Sequence, residues 1–367
     1  MGDALDLNSA DGSHADVVCA FDKDCRPTAA STARGWPWSR AIRRYLQVCA
    51  AIGTFLAVAW MTPSVSPAAA TPAEADSDLF SATIADLRAG VAYHDAFGAQ
   101  LRRLRYPTRS IFNWRQPLLY WILAFVPRGE WLLYAGAAVL VAITWTLQRQ
   151  WATVVLLTAA LLPIATTVVT FSELWAGILL GLSAVAYIAR RCTLGVACAV
   201  TALAFRELAA PYCIALSLAS LVRRDWREVR MWAAGLAVYV PYYGWHVWQA
   251  THRIGASDLS HPHSWLSLGG PVFLFRVFQF TSPIFIASTL LFAIAMACAV
   301  LVLLSQVAPR SLQLGLLPYV PFFLVIGQPF NVYWGFVVAP LFALWLSYTP
   351  AAVNALRGRQ AEPVSGL

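Results

Sequence analysis

The chain has 367 residues, of which 59% are hydrophobic and only 12% charged, with a formal net charge of +8. Soluble domains carry about a quarter charged residues. Half that share, with repeated apolar runs near the roughly 20 residues that cross a bilayer, argues for a polytopic membrane protein and against a soluble enzyme.

No ten-residue alternation of barrel type is present, so the spans are expected to be helices, making an all-α chain of about nine to eleven membrane segments with short broken helices. The positive charge is almost entirely Arg and is dispersed between apolar runs. That pattern speaks against a nucleic-acid interface and for the positive-inside bias of cytoplasmic turns. The seven cysteines lie mostly within apolar runs, none falls in 62–116, and none has zinc-type spacing.

Residues 1–38 are polar, lack a helical period and read as a disordered cytoplasmic tail. Arg40, Arg43 and Arg44 then flank an apolar run, 45–61, the first expected span of a transmembrane domain over 39–350. A cleaved signal peptide is the competing reading of that run. On either reading the loop 62–116 emerges outside the cytoplasm.

That loop is the most polar stretch among the spans. Two helices are expected in it, 77–89 closed by Gly90 and 93–104 closed by Tyr106-Pro107. A short apolar segment, 118–126, is too brief to span. Further crossings are expected over 131–147, 152–170, 175–189, 231–248, 284–304, 312–326 and 332–348. The run 194–222 is basic at both ends and interrupted by Arg206-Glu207, which reads as two short helices with their break toward the outer side, buried in protein or facing a cavity. A second outer loop covers 251–283, and 351–367 forms a cytoplasmic tail.

Charged residues set the candidate sites. Asp76, Asp78 and Asp95 lie in the first outer loop, where a carboxylate can act as general base toward a hydroxyl or cap a helix. Arg105, Arg109 and Arg115 lie on the same side, and Arg forks match phosphate oxygens. Arg206 and Glu207 are charges at membrane depth, functional by default or an internal ion pair. Glu173 reads as a helix start. His261-Pro262-His263 suits a phosphate better than a metal, since no third ligand is evident. No Walker loop, dinucleotide fingerprint or zincin motif is present.

Several short motifs resemble the C-type glycosyltransferases (the GT-C superfamily), polytopic enzymes that use polyprenyl-phosphate sugars. They are Asp78-Leu79-Phe80 leading to Tyr93, Tyr106-Pro107, Arg115-Gln116-Pro117-Leu118-Leu119, Arg206-Glu207-Leu208, and Asn331-x-Tyr333-Trp334-Gly335. The resemblance implies an inverting transfer of sugar from a polyprenyl phosphate to a lipid or glycan acceptor, at the outer face of a bacterial inner membrane with both termini cytoplasmic. It implies Asp78 as base, with Asp76 and Asp95 as alternatives. Arg115, the loop arginines, His261 or His263 would hold donor phosphate, and Tyr93, Asn331 and Tyr333 join the candidate substrate contacts. A divalent cation is compatible with the family but not required by it. The chain lacks an adjacent Asp-Glu pair in its first loop. The alternative is a non-catalytic transporter, flippase or assembly subunit for lipid-linked glycans.

Overall fold

The structure is a computed structural model that describes residues 37–61, 71–148, 150–162, 167–260 and 268–358. It divides into two units, 1–43 and 44–367. The regular secondary structure among the described residues is helical, with no strand.

In chain order the helices are α1 (Pro37–Met61), α2 (Thr71–Arg88), α3 (Tyr93–Arg103), α4 (Leu118–Phe125), α5 (Trp131–Gln148) and α6 (Trp151–Leu161). Then come α7 (Ser172–Ile188), α8 (Cys192–Phe205), α9 (Ala210–Val222), α10 (Trp226–Thr251), α11 (Gly270–Gln279) and α12 (Pro283–Ala287). The last five are α13 (Thr289–Ser305), α14 (Arg310–Leu316), α15 (Tyr319–Val325), α16 (Gly335–Leu346) and α17 (Thr349–Leu356). Single turns of 3-10 helix lie at Ile111–Asn113 and Glu207–Ala209, and a longer one spans Pro329–Trp334.

The core is built around α7 and α16, which are buried on nearly every face. Glycine makes their crossing possible. A Cβ on Gly177 would stand 2.1 Å from the Phe336 carbonyl oxygen, and one on Gly181 would stand 2.9 Å from Cβ of Pro340. Backbone therefore touches backbone, the close approach that small residues permit between helices. Gly335 extends the seam, since a Cβ there would lie 2.3 Å from the Val277 carbonyl oxygen of α11.

Helix ends follow local chemistry. Asp225 accepts from the Glu228 amide at the start of α10, and Ser288 accepts from Leu291 at the start of α13. Gly90, at φ +90°, closes α2 in a conformation that a side chain would strain. Four other helix-end turns instead use arginine in the left-handed region: Arg105, Arg128, Arg190 and Arg224, all with φ between 54° and 57° and all exposed. Each follows a helix C-terminus, the end where the dipole favours positive charge.

Several expected runs are divided. The run 312–326 is cut at Pro318 into α14 and α15, because proline cannot donate to the preceding turn. The run 284–304 splits at Ser288, which caps α13. The run 152–170 holds α6 and then a 3-10 turn. Two helices were not anticipated: α11, within the expected loop 251–283, and α17, which extends into the expected tail. By length and apolar composition, two described helical stretches could cross a bilayer, Trp131–Gln148 and Pro329–Leu356. The other apolar helices are shorter.

Candidate functional site

The site starts on α2. Its buried positions are Asp76, Leu79, Phe80, Thr83, Ile84 and Leu87, spaced as one helical stripe. Asp76 belongs to that stripe and is 7% exposed. Asp78, two positions on, faces the other way and is exposed. The residue first expected to act as base thus stands outside the pocket, and its alternative stands within it.

Asp76 lines a cavity of about 260 Å³ together with Tyr106, Arg115, Asn331 and Tyr333. Phe80, Phe97 and Trp334 supply aromatic wall. The Tyr106 hydroxyl donates to the Asp76 carboxylate. Burial raises the Asp76 pKa above the ordinary carboxylate value, against the opposing pull of the Arg115 cation and the Tyr106 hydrogen bond. Burial also pushes the Tyr106 phenol upward, helped by the Asp76 carboxylate, so it remains a proton donor to Asp76.

Arg115 is fixed from several sides. A 3-10 turn, Ile111–Asn113, precedes it, and the Trp114 indole donates to the Thr108 carbonyl at 2.9 Å. The Tyr93 hydroxyl donates to the Arg115 carbonyl at 2.6 Å. In the side chain, Nη1 donates to the Phe112 carbonyl at 3.0 Å and Nη2 to the Tyr333 hydroxyl at 2.9 Å. Nη2 also lies 3.8 Å from Glu173 Oε1. Among the described residues, Arg115 Nε and Asn331 Nδ2 meet no hydrogen-bond partner, though both are buried. Two donors without protein partners, on residues that line one cavity with a carboxylate, suit a ligand rich in oxygen.

Behind Arg115 runs a chain of buried charge. Glu173 is fully buried at the start of α7, and its Oε1 lies 2.8 Å from Arg206 Nε. Arg206 Nη1 lies 2.6 Å from Glu207 Oε1. Gln116 Nε2 donates to Glu207 at 3.3 Å and to the Leu203 carbonyl at 2.9 Å. Arg206 is extended, at φ −155° and ψ 124°, between α8 and the Glu207–Ala209 turn. The break foreseen at Arg206-Glu207 thus turns both charges toward partners.

The other loop arginines are committed elsewhere. Arg102 grips Asp258 in a fork, with Nε–Oδ1 at 2.8 Å and Nη2–Oδ2 at 2.9 Å. Arg253 holds Asp95 at 2.6 Å. Arg109 donates to the Ala256 carbonyl through Nη2 at 2.7 Å and to the Leu259 carbonyl through its amide at 3.1 Å. These contacts stitch α3 and the segment after it to 253–259. The hydrogen bond from Arg102 holds the Asp258 carboxyl down to about 2, and Arg253 lowers that of Asp95 in the same way. Asp95 is therefore a paired surface anion outside the cavity. Arg105 is exposed, and its backbone closes α3.

No family model, no curated protein and no solved structure matches this chain.

Of the expected candidates, the fold gathers Asp76, Arg115, Asn331 and Tyr333 around one cavity. Tyr93 supports it through the Arg115 backbone, and Arg206 and Glu207 lie behind it. His261 and His263 fall outside the described residues. Among the described residues no three His, Cys, Asp or Glu side chains come together in a metal-binding group. Sequence reading missed Tyr106, His246 and the ion-pairing of Glu173. For Asp76 a signal was present: the spacing 76, 79, 80, 83, 84, 87 marks the inward face of α2.

Proposed function

We propose that this chain is a membrane-embedded glycosyltransferase that moves a sugar from a polyprenyl phosphate to a lipid or glycan hydroxyl, with Asp76 rather than Asp78 as general base. The observation that carries the reading is the Asp76 cavity: a buried carboxylate held by Tyr106, with Arg115 and Asn331 lining the same small space and each keeping one buried donor without a protein partner.

Buried charge and outward-facing apolar side chains support a bilayer setting. Glu173, Arg206 and Arg115 are buried and paired. Large apolar side chains face outward, among them Val139, Val155, Leu218, Val238 and Leu290. Exposed apolar surface with charge inside is the reverse of a soluble protein's pattern. The setting proposed is a bacterial inner membrane, with the cavity toward the outer face.

The chemistry follows from the groups present. The acceptor O–H proton passes to the Asp76 carboxylate as the acceptor oxygen attacks the anomeric carbon. The bond from that carbon to the phosphate oxygen breaks, its electron pair leaves on phosphate, and the anomeric centre inverts. Arg115 and Asn331 offer N–H groups to the oxygens that gain charge. A volume near 260 Å³ is slightly below the low end of about 300 Å³ for small-molecule pockets. It suits a single sugar, with the prenyl chain left in lipid.

The test uses the full chain in lipid nanodiscs, supplied with polyprenyl-phosphate-linked radiolabelled sugars and a membrane lipid extract as acceptor. Asp76→Asn should lower transfer by about 10²–10⁴-fold, while Asp78→Asn keeps the wild-type rate. Full transfer by Asp76→Asn would sink the proposal. Donor binding without transfer by the wild-type chain would favour the carrier or assembly-subunit reading.

A further inference from the structure

We propose that His94 and His246 form a neutral, tautomer-locked pair that positions Arg115, a role that rests on the reading of the Asp76 cavity as the reactive site. The Tyr93-His94-Asp95 run stands out in the sequence, and its three side chains do three different things. Tyr93 donates to the Arg115 carbonyl, and Asp95 pairs with Arg253. His94 turns inward to His246 of α10, with Nε2 of the first 3.0 Å from Nδ1 of the second. Both rings are buried, at 4% and 1% exposure.

The direction of each hydrogen bond follows from one fixed point. His246 Nε2 lies 3.2 Å from the Trp114 carbonyl oxygen. A carbonyl oxygen only accepts, so His246 Nε2 carries a hydrogen. In the neutral ring Nδ1 is then bare and accepts. His94 Nε2 must therefore donate, which leaves His94 Nδ1 bare. The result is one directed chain: His94 Nε2–H to His246 Nδ1, then His246 Nε2–H to the Trp114 carbonyl.

That chain ends one residue before Arg115. The carbonyls of Trp114 and Arg115 are successive, and each is taken by one donor, His246 for the first and Tyr93 for the second. The Arg115 Cα sits between these two anchored groups. From that position its guanidinium reaches Tyr333, and Arg115 lines the cavity with Asp76. His246 touches neither Asp76 nor the cavity and acts through the backbone.

The lock depends on His246 staying neutral. A proton added to His246 Nδ1 would set two donors against each other across 3.0 Å. Burial, the neighbouring His246 and the Arg253 cation hold the His94 pKa down to about 3, opposed only by Asp95. The charged groups facing the pair are thus Asp95 on α3, Arg253 beyond the end of α10, and Glu207 on the turn between α8 and α9. The pair should hold one tautomeric state from pH 5 to 8.

The experiment uses the full chain in lipid nanodiscs, labelled with ¹⁵N-histidine and ¹⁵N-arginine. His94→Gln and His246→Gln assign the two rings, and Arg115→Lys assigns the Arg115 Nε–H resonance. Both rings should show the Nε2–H neutral tautomer across pH 5 to 8. His246→Phe should displace the Arg115 Nε–H resonance. His246→Gln should restore it, because its amide can donate to the Trp114 carbonyl and accept from His94. In the transfer assay His246→Phe should lower kcat on the order of ten- to a hundredfold, as a misplacement of about 1 Å does, with His246→Gln recovering most of it. An Nδ1–H tautomer on His246, or an Arg115 resonance indifferent to His246→Phe, would overturn the proposal. Should His246→Phe fail to fold, the tautomers of the wild-type chain still decide. The resonances test the pair alone, and Asp76→Asn tests the glycosyl-transfer reading alone.

Discussion

Asp76 and Asp78 are two positions apart on one helix and meet opposite environments. The buried carboxylate is the one whose ionisation the protein resists, since burial raises its pKa over the pull of Arg115 and Tyr106. The sign of the consequence is definite. A carboxyl with a folded pKa above its unfolded value contributes stability that is fully present below the unfolded pKa and is lost as pH rises through the folded one. Asn mimics the protonated form and does not titrate. Asp76→Asn should therefore gain thermal stability relative to wild type as pH rises from about 4 to neutrality, in paired melting curves. An Asp76→Asn advantage that shrinks with pH would contradict this. A base must be ionised to work, so the acidic limb of the rate profile should follow the same group. The Tyr106 hydrogen bond lowers the Asp76 pKa. Tyr106→Phe should move that limb to higher pH. Which of the two aspartates faces the cavity was legible in the stripe that Asp76 shares with Leu79, Phe80, Thr83 and Leu87. The motif that runs from Asp78 to Tyr93 did not carry it, because motif spacing carries no helix face.

At the scale of elements, the broken segment α8–α9 matters most. Its interruption at Arg206-Glu207 was readable because charge inside an apolar run is costly. One partner of Arg206, the adjacent Glu207, was readable as an internal ion pair, and the other was not. Glu173 stands 33 positions earlier, at the start of a different helix, and only packing joins them at 2.8 Å. Removing one side of a buried pair leaves the other uncompensated, at a cost of about 3–5 kcal/mol. Glu173→Gln should lower the free energy of unfolding, read from denaturation curves, by less than that, because Glu207 still pairs with Arg206. Glu173→Gln and Arg206→Met should be coupled in a double-mutant cycle, and losses that simply add would argue against the pair. The central crossing was also hidden. Gly177 sits in an apolar run like any other, yet Phe336 backbone occupies the place of its Cβ. Gly177→Ala must push α7 from α16. A loss of about 1–3 kcal/mol is expected, typical of overpacking where backbone cannot yield, measurable by the same denaturation curves.

At the scale of the whole molecule, helix content and most helix positions were legible, because apolar runs bounded by Pro, Gly and Arg carry that signal locally. The loop arginines were not, since a fork such as Arg102 on Asp258 is a contact across more than 150 positions. Their number suggested a phosphate site, and two of them, Arg102 and Arg109, instead join the first loop to 253–259. The arginines that close helices in the left-handed region have a use of another kind. Arg105, Arg128, Arg190 and Arg224 are exposed at tight turns, and trypsin cleaves after arginine. On the membrane reading the first two face outward and the last two face the cytoplasm. Right-side-out vesicles treated with trypsin should yield cuts after Arg105 or Arg128 and none after Arg190 or Arg224, and inverted vesicles should yield the converse. Four turns that end helices thereby become a built-in map of sidedness, read from the fragment masses of a single digest.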